Sequence, residues 1–474
     1  MLAIGNGVYD GNSQLIFLRT NNVGQIISAK TIGDEGAEFG QDIVRTINLG
    51  TEWTICGWTT QNGSDDILIV KLFGPAEVQW VKIFEDSGIE RARAITETGD
   101  GSIIIVGHSN SGGLGLNDIV VIKIDMDGEV EWKYKYGGPN NDNAWGVDQH
   151  PNGNYIVSGN SSSFHPDNFT SAFLMEIDQN GELIWSKTFA IPEGQMAAND
   201  CLVAANGDIV IGGWAQAIGS SDRQGMIARF SLDGNFQNAT IFGGEGFESV
   251  NDIAFSNQDI LVAGITSSYF SGETASDNGF VAKFDDENEI TMFQVFESGE
   301  GGGDDELFGV DIYPPVEEGF VACGVYDADK IRQAHIIHSF DSWDECPDQY
   351  SEINQISLEL VEYEGGSRTD DESTISEPTW TANDLEEEAE IICSTNLNTP
   401  EEEANTWKLF PNPAEDYFEL ENVKKGTSIL VQDITGRTVI ETVYSGEKIE
   451  VNNWQHGIYI LTIGNTKSIK LIVN

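Results

Sequence analysis

The chain has 474 residues, with 78 acidic against 24 basic side chains and a formal net charge of −54. Such a field repels nucleic acid and anionic lipid, and no apolar run is long enough for insertion into a membrane as a helix. Fifty-two glycines and few apolar periods of helical spacing leave many short strands and turns as the building material.

In chain order, the first signal is a repeat. An apolar run closes on glycine at Gly5, Gly57, Gly107, Gly159, Gly213, Gly264 and Gly324, roughly every fifty residues, a period that marks a propeller or a solenoid. An aspartate opens a short apolar run ahead of most copies, at Asp42, Asp148, Asp200, Asp252 and Asp311; the copy near Ala94 lacks it. One unit reads in full as strands Asp252 to Phe255, Ile260 to Ile265, Phe280 to Asp285 and Glu289 to Phe296. Four antiparallel strands repeated in tandem predict a β-propeller over 1–340, with seven blades fitting better than six or eight.

The opening unit, Leu2 to Thr31, has strands two to four and no first strand. Either a strand from beyond residue 340, Ile356 to Val361 or Glu388 to Cys393, completes it, or the start of the sequence is internal. Residues 341–404 break the repeat. Their polar stretch and the runs Glu386-Glu387-Glu388 and Glu401-Glu402-Glu403 read as an acidic linker with one or two strands.

Several motifs invite a chemical reading. The recurring aspartate precedes the strand that normally lines a propeller's channel, so Asp42, Asp148, Asp200, Asp252 and Asp311 are expected to ring one end of it. Gathered carboxylates suit a hard cation such as Ca²⁺, or raise one another's pKa as catalytic pairs do. The structural alternative, preferred here, is that each accepts backbone N–H groups in its own turn. The turns Asp125-Met126-Asp127-Gly128 and Asp178-Gln179-Asn180-Gly181 put glycine too early for a calcium loop and suit a positive-φ hairpin turn instead. Trp132 and Trp185 follow those glycines in a spacing that resembles the tryptophan-docking repeat of quinoprotein propellers; later blades lose it, so packing between blades is the expected role. No nucleophile elbow, HExxH, phosphate loop or dinucleotide fingerprint is present, and no organic cofactor is expected.

From Trp407 the sequence reads WKLFPNPAEDYFELEN and closes on short apolar runs split by glycine turns, the pattern of a small Ig-like β-sandwich over 405–474. Pro411, Asn412 and Pro413 at the entry, Asp433 with Gly436 and Arg437, then Gly457 and Tyr459, make this tail resemble the type A sorting domain of the type IX secretion system of Bacteroidetes-type bacteria. The resemblance implies passage across the outer membrane, recognition by the translocon, and removal by its sortase near or before Trp407. Such cargo carries a signal peptide, which Met1 to Gly5 does not provide; an internal start explains that and the missing first strand together. Cys56, Cys201 and Cys323 sit in apolar runs as buried hydrophobes, whereas Cys346 and Cys393 flank the acidic region and are candidates to pair. The expected role is non-catalytic: binding, adhesion or scaffolding at the cell surface, with glycan or protein ligands. The alternatives are a polysaccharide-acting hydrolase or lyase, or a quinoprotein-like dehydrogenase.

Overall fold

The computed structural model describes residues 2–339 apart from 10–11, 21–25, 35, 47–51, 75, 218, 257–258, 270–276, 297–304, 313–319 and 329–330. It also describes the strands between 348 and 384, and most of 408–473. The chain forms two compact units, Met1–Cys393 and Ser394–Asn474. Every regular element among the described residues is a β-strand.

The first unit contains seven antiparallel sheets among its described residues. The second is typical: strands Glu38–Arg45, Glu52–Thr59, Asp66–Phe73 and Glu77–Glu85 pair in order as a meander. The third to sixth sheets repeat it, their first strands being Glu90–Glu97, Asp142–Gln149, Gly194–Val203 and Glu248–Ser256. The seventh has Glu306–Ile312, Phe320–Ala328 and Ile331–Ser339, and the first has Leu2–Tyr9, Asn12–Thr20 and Ile26–Ile32. The second and third strands of a sheet are buried along nearly their whole length, as in Asp66–Phe73 and Asp118–Ile124. Alternate residues therefore face opposite neighbours, and each sheet is sandwiched between two others.

First strands of successive sheets pack on one another around a common axis. Cys323 of the seventh sheet packs on Ala3, Leu18 and Ala29 of the first, which closes the ring. Across the axis, Asp42 of the second sheet and Asp252 of the sixth are close enough to feel each other's charge. The architecture is a β-propeller. The repeating glycine has a steric cause: a Cβ at Gly57, Gly107, Gly159 or Gly213 would strike the backbone carbonyl of the first strand in its own sheet.

Residues beyond 340 correct the linker reading. Six short strands lie there among the described residues: Asp348–Gln349, Asn354–Leu358, Val361–Glu364, Ser367–Asp370, Thr374–Ser376 and Ala382–Asp384. Each adds, antiparallel, to the outer edge of one sheet, in the order sixth, fifth, fourth, third, second, first. The segment is thus a belt that retraces the ring backwards, covering the exposed strand edges that would otherwise invite aggregation. Backbone pairing holds it, and such short polar strands carry no apolar period, which is why a linker is what their sequence suggests. Asn354–Leu358 pairs with Phe236–Gly243 of the fifth sheet rather than completing the first. Side chains add anchors: the Arg368 guanidinium lies 4.0 Å over the Tyr134 ring, donates to the Gly181 carbonyl at 2.9 Å and pairs with Glu182 at 3.0 Å.

In the second unit a three-stranded and a four-stranded sheet enclose one core of Phe418, Leu420, Ile429, Val431, Tyr444, Val451 and Leu461. Asp433 and Tyr459 are direct register partners there, and Gly457 pairs with Val473. Pro411, Asn412, Pro413, Gly436 and Arg437, like Cys346 and Cys393, lie outside the described residues.

Candidate functional site

The first strand of the second to seventh sheets carries one extra residue, a β-bulge, at Gln41, Arg93, Trp145, Asn199, Asn251 and Phe308 in turn. Counting from that bulge sorts the five aspartates into two tiers. Asp42, Asp200 and Asp252 stand one residue after it, level with Ala94, Gly146 and Gly309. Asp148 and Asp311 stand two residues further along, on the same side of the strand. The expected single ring is therefore two incomplete ones.

Within these tiers the carboxylates act as clamps. Asp42 accepts Ile43 N at 2.7 Å and, from the next sheet, Ile95 N at 2.9 Å. Asp148 accepts Gln149 N at 2.7 Å and Val203 N at 2.8 Å. Asp200 reaches Ile253 N at 3.1 Å, and Asp252 reaches Val310 N at 2.6 Å. So each of these four aspartates bonds the next residue's N–H in its own strand, or its counterpart one sheet along, or both. Asp311 is exposed. Burial and then the charge of Asp252 push the Asp200 carboxyl well up. Among the described residues no three His, Cys, Asp or Glu side chains gather as an ion site.

A second carboxylate repeat was not foreseen. Glu38, Glu90, Asp142 and Glu248 open the first strands fully buried, each bonded to a hydroxyl: Thr59 at 3.3 Å, Ser109 at 2.9 Å, Ser163 at 2.7 Å and Thr266 at 2.8 Å. Burial raises the pKa of all four, that of Glu38 to about 7. Their spacing, just ahead of the bulge, is the signal that would have found them. The turn aspartates bond their own loops: Asp125 Oδ1 accepts Asp127 N and Glu129 N, both at 2.9 Å. Trp132 Nε1 donates to the Gln179 carbonyl of the following sheet at 2.9 Å, and Trp185 lies against Gly234 of the next turn, so both tryptophans join blades.

The repeat breaks at the third sheet. Between the third and fourth sheets Ala94 and Thr96 occupy both tiers and no aspartate clamp is made. Here the bulge residue Arg93 lies 4.5 Å over the ring of Trp145, the bulge residue of the fourth sheet, and 5.0 Å from the ring of Trp58 in the second. Arg93 Nη1 donates to Gln41 Oε1 at 2.7 Å on the exposed side, while its Nε is buried without a partner. Burial and the neighbouring Arg91 hold its pKa down to about 10. Arg91 itself binds Asp65, through Nε at 2.6 Å, and lies 4.8 Å over Trp58, which stacks on Phe39. Buried His108 faces Trp145 at 6.2 Å with Nδ1 unbonded; burial, then Arg93 and Arg91, hold its pKa down to about 3, so it is neutral. Trp145 Nε1 donates to Asn160 Oδ1 at 2.6 Å. Trp58, His108, Asn160 and Trp214 are equivalent positions, each just after a repeat glycine, and Trp214 carries Arg223 at 3.8 Å. One mouth of the ring therefore concentrates aromatic rings and guanidinium groups in a chain that is otherwise strongly acidic.

Residues 408–474 match the family model of the secretion system C-terminal sorting domain. The chain is thus an exported propeller with a type IX sorting tail, which engages the secretion machinery and sends it to the cell surface or the extracellular space. No curated relative matches the sequence. Among solved structures, the WD40 domain of Neurospora crassa Pan2 is similar at 14% identity over 63% of this chain and 74% of that one, with a TM-score of 0.39. Sqt1 of Chaetomium thermophilum, bound to the N-terminus of ribosomal protein L10, gives 12%, 68%, 78% and 0.38. PorZ, a surface component of the type IX secretion system of Porphyromonas gingivalis, gives 9%, 99%, 86% and 0.24. The propeller assignment stands on the sheets and their packing rather than on these values.

Proposed function

We propose that this exported propeller is a non-catalytic binding module that meets its ligand at the mouth formed by Gln41, Trp58, Arg93, His108, Trp145 and Asn160. One observation carries this reading. Where the repeat is kept, its polar atoms are spent on neighbouring backbone; where it breaks, aromatic faces and donors are left over. Tryptophan and arginine are the residue types that dominate binding energy at recognition surfaces, and Trp145 and Arg93 are both partly exposed here. The belt favours the same role, since a ring with covered edges presents its two ends rather than its rim. Glycan and protein ligands both suit such a surface.

The test is capture on an array of surface glycans and extracellular proteins, comparing the full chain with Trp145→Ala. A ligand at this mouth should lose about tenfold or more in affinity, the usual cost of truncating a central aromatic contact. Unchanged binding of every captured ligand by that variant would refute the assignment.

A further inference from the structure

The mouth also indicates what it binds. Arg93 has an aromatic ring on two sides, one amide partner at Gln41, and among the described residues no carboxylate bonded to it. The carboxylate whose charge reaches it, Asp65, is bonded to Arg91. In a chain with 78 acidic and 24 basic residues, a partly buried guanidinium left without a counter-ion is an unusual expense of desolvation. A guanidinium presents a planar fork that matches a planar carboxylate through two parallel N–H···O bonds. Buried Trp58 holds the guanidinium from below, and the half-buried Trp145 ring beside it is a flat apolar surface of the kind that suits the C–H face of a pyranose ring. The amides of exposed Gln41 and half-buried Asn160 are hydroxyl partners at the same place.

We propose that the Trp58–Arg93–Trp145 cluster is a subsite for a carboxylate-bearing sugar, a uronic acid residue within a polysaccharide. The inference rests on the mouth being the binding surface. The sugar is favoured over an acidic peptide because the site leaves one guanidinium unpaired, Arg91 being held by Asp65, and sets it beside a ring and side-chain amides rather than beside several free cations. The chain's net charge of −54 opposes a long polyanion at a distance. Screening confines that repulsion to about 8 Å at physiological salt, so a local contact survives it, and a short oligomer is the right probe.

The experiment is calorimetric titration of the full chain with hexa-galacturonate, its full methyl ester and hexa-glutamate. The acid sugar should bind at least about tenfold more tightly than the ester, the worth of one charge-assisted pair. Arg93→Gln should bring that ratio near one, Arg93→Lys should keep part of it, and Trp145→Ala should weaken acid and ester together. Thermal unfolding of each variant separates these effects from misfolding. Equal binding of acid and ester, a ratio untouched by Arg93→Gln, preference for hexa-glutamate, or no sugar binding at all would overturn the uronate subsite. If the array ligands still depend on Trp145 in any of those cases, the mouth reading stands and only the carboxylate assignment falls.

Discussion

The ring has two kinds of junction that use the same backbone differently. From the fourth to the seventh sheet, Asp148, Asp200 and Asp252 clamp neighbouring first strands, and the bulge residues join in. Asn199 Nδ2 donates to Ser249 Oγ and the Val250 carbonyl, and Asn251 Nδ2 donates to the Leu307 carbonyl. Between the third and fourth sheets the bulge residues are Arg93 and Trp145, and what joins them is a stacked guanidinium with unspent donors. The bulge that serves cohesion at Asn199 and Asn251 carries a guanidinium and an indole at Arg93 and Trp145. Repetition in this molecule marks what holds the ring together, and its interruption marks what the ring offers to a partner.

The largest effect that would test this contrast is expected at Asp148. Asp148→Ala leaves Val203 N and Gln149 N without their acceptor at the junction of the fourth and fifth sheets. The loss should be about 2–4 kcal/mol, since each buried donor left unsatisfied costs roughly 1–3 kcal/mol. Chemical denaturation measures it, and ligand binding at the mouth should be unchanged. A loss below 0.5 kcal/mol, the usual range for unremarkable surface substitutions, would show that the aspartates are not the clamps.

A smaller effect is expected from pH. The Asp200 and Asp252 carboxyls, and those of Glu38, Glu90, Asp142 and Glu248, are raised by burial first, with Glu38 at about 7. A group with a raised folded-state pKa holds a proton that the unfolded chain releases, so stability falls as pH climbs from the ordinary carboxylate range toward 7. The melting temperature should therefore be higher at pH 5 than at pH 8. Asp200→Asn removes one charge of a crowded pair and should flatten that slope. An unaltered slope would mean the two carboxyls do not share a proton.

Much of this was legible in the sequence, and the failures have specific causes. Gly57, Gly107, Gly159 and Gly213 announced the strand ends because packing against their own sheet's carbonyl forbids a side chain. Trp132 and Trp185 announced the docking of one blade on the next turn for a similar reason, their rings being large and fixed in register. The aspartates were found, but their levels were not, since a bulge inserts one residue without any compositional mark and hairpin length varies around it. The belt stayed hidden because backbone pairing to a ready-made edge needs no apolar alternation. The Arg93 cluster stayed hidden because its members come from three sheets and mean something only once the ring closes.

The smallest expected effect is the most discriminating. Arg93 bridges a junction that lacks an aspartate clamp, so it could itself be the clamp there, its contact with Trp145 replacing the missing aspartate beside the bonds that Trp132 and Gln149 make across it. A structural role predicts that Arg93→Gln destabilises the ring by about 2 kcal/mol or more, as loss of a desolvated cation–π contact and its hydrogen bond would. A binding role predicts nearly no change. A partly buried cation that lacks a counter-ion contributes little to folding, because its desolvation offsets most of what the two rings return. Glutamine keeps a hydrogen-bonding end for Gln41 and removes the charge. We therefore expect a stability change within about 0.5 kcal/mol, the range of ordinary surface substitutions. Denaturation of the variant in the absence of any sugar decides it. A near-neutral result leaves Arg93 with no structural reason to stand between two tryptophans in so acidic a chain, and a large loss would make its junction one of the cohesive ones.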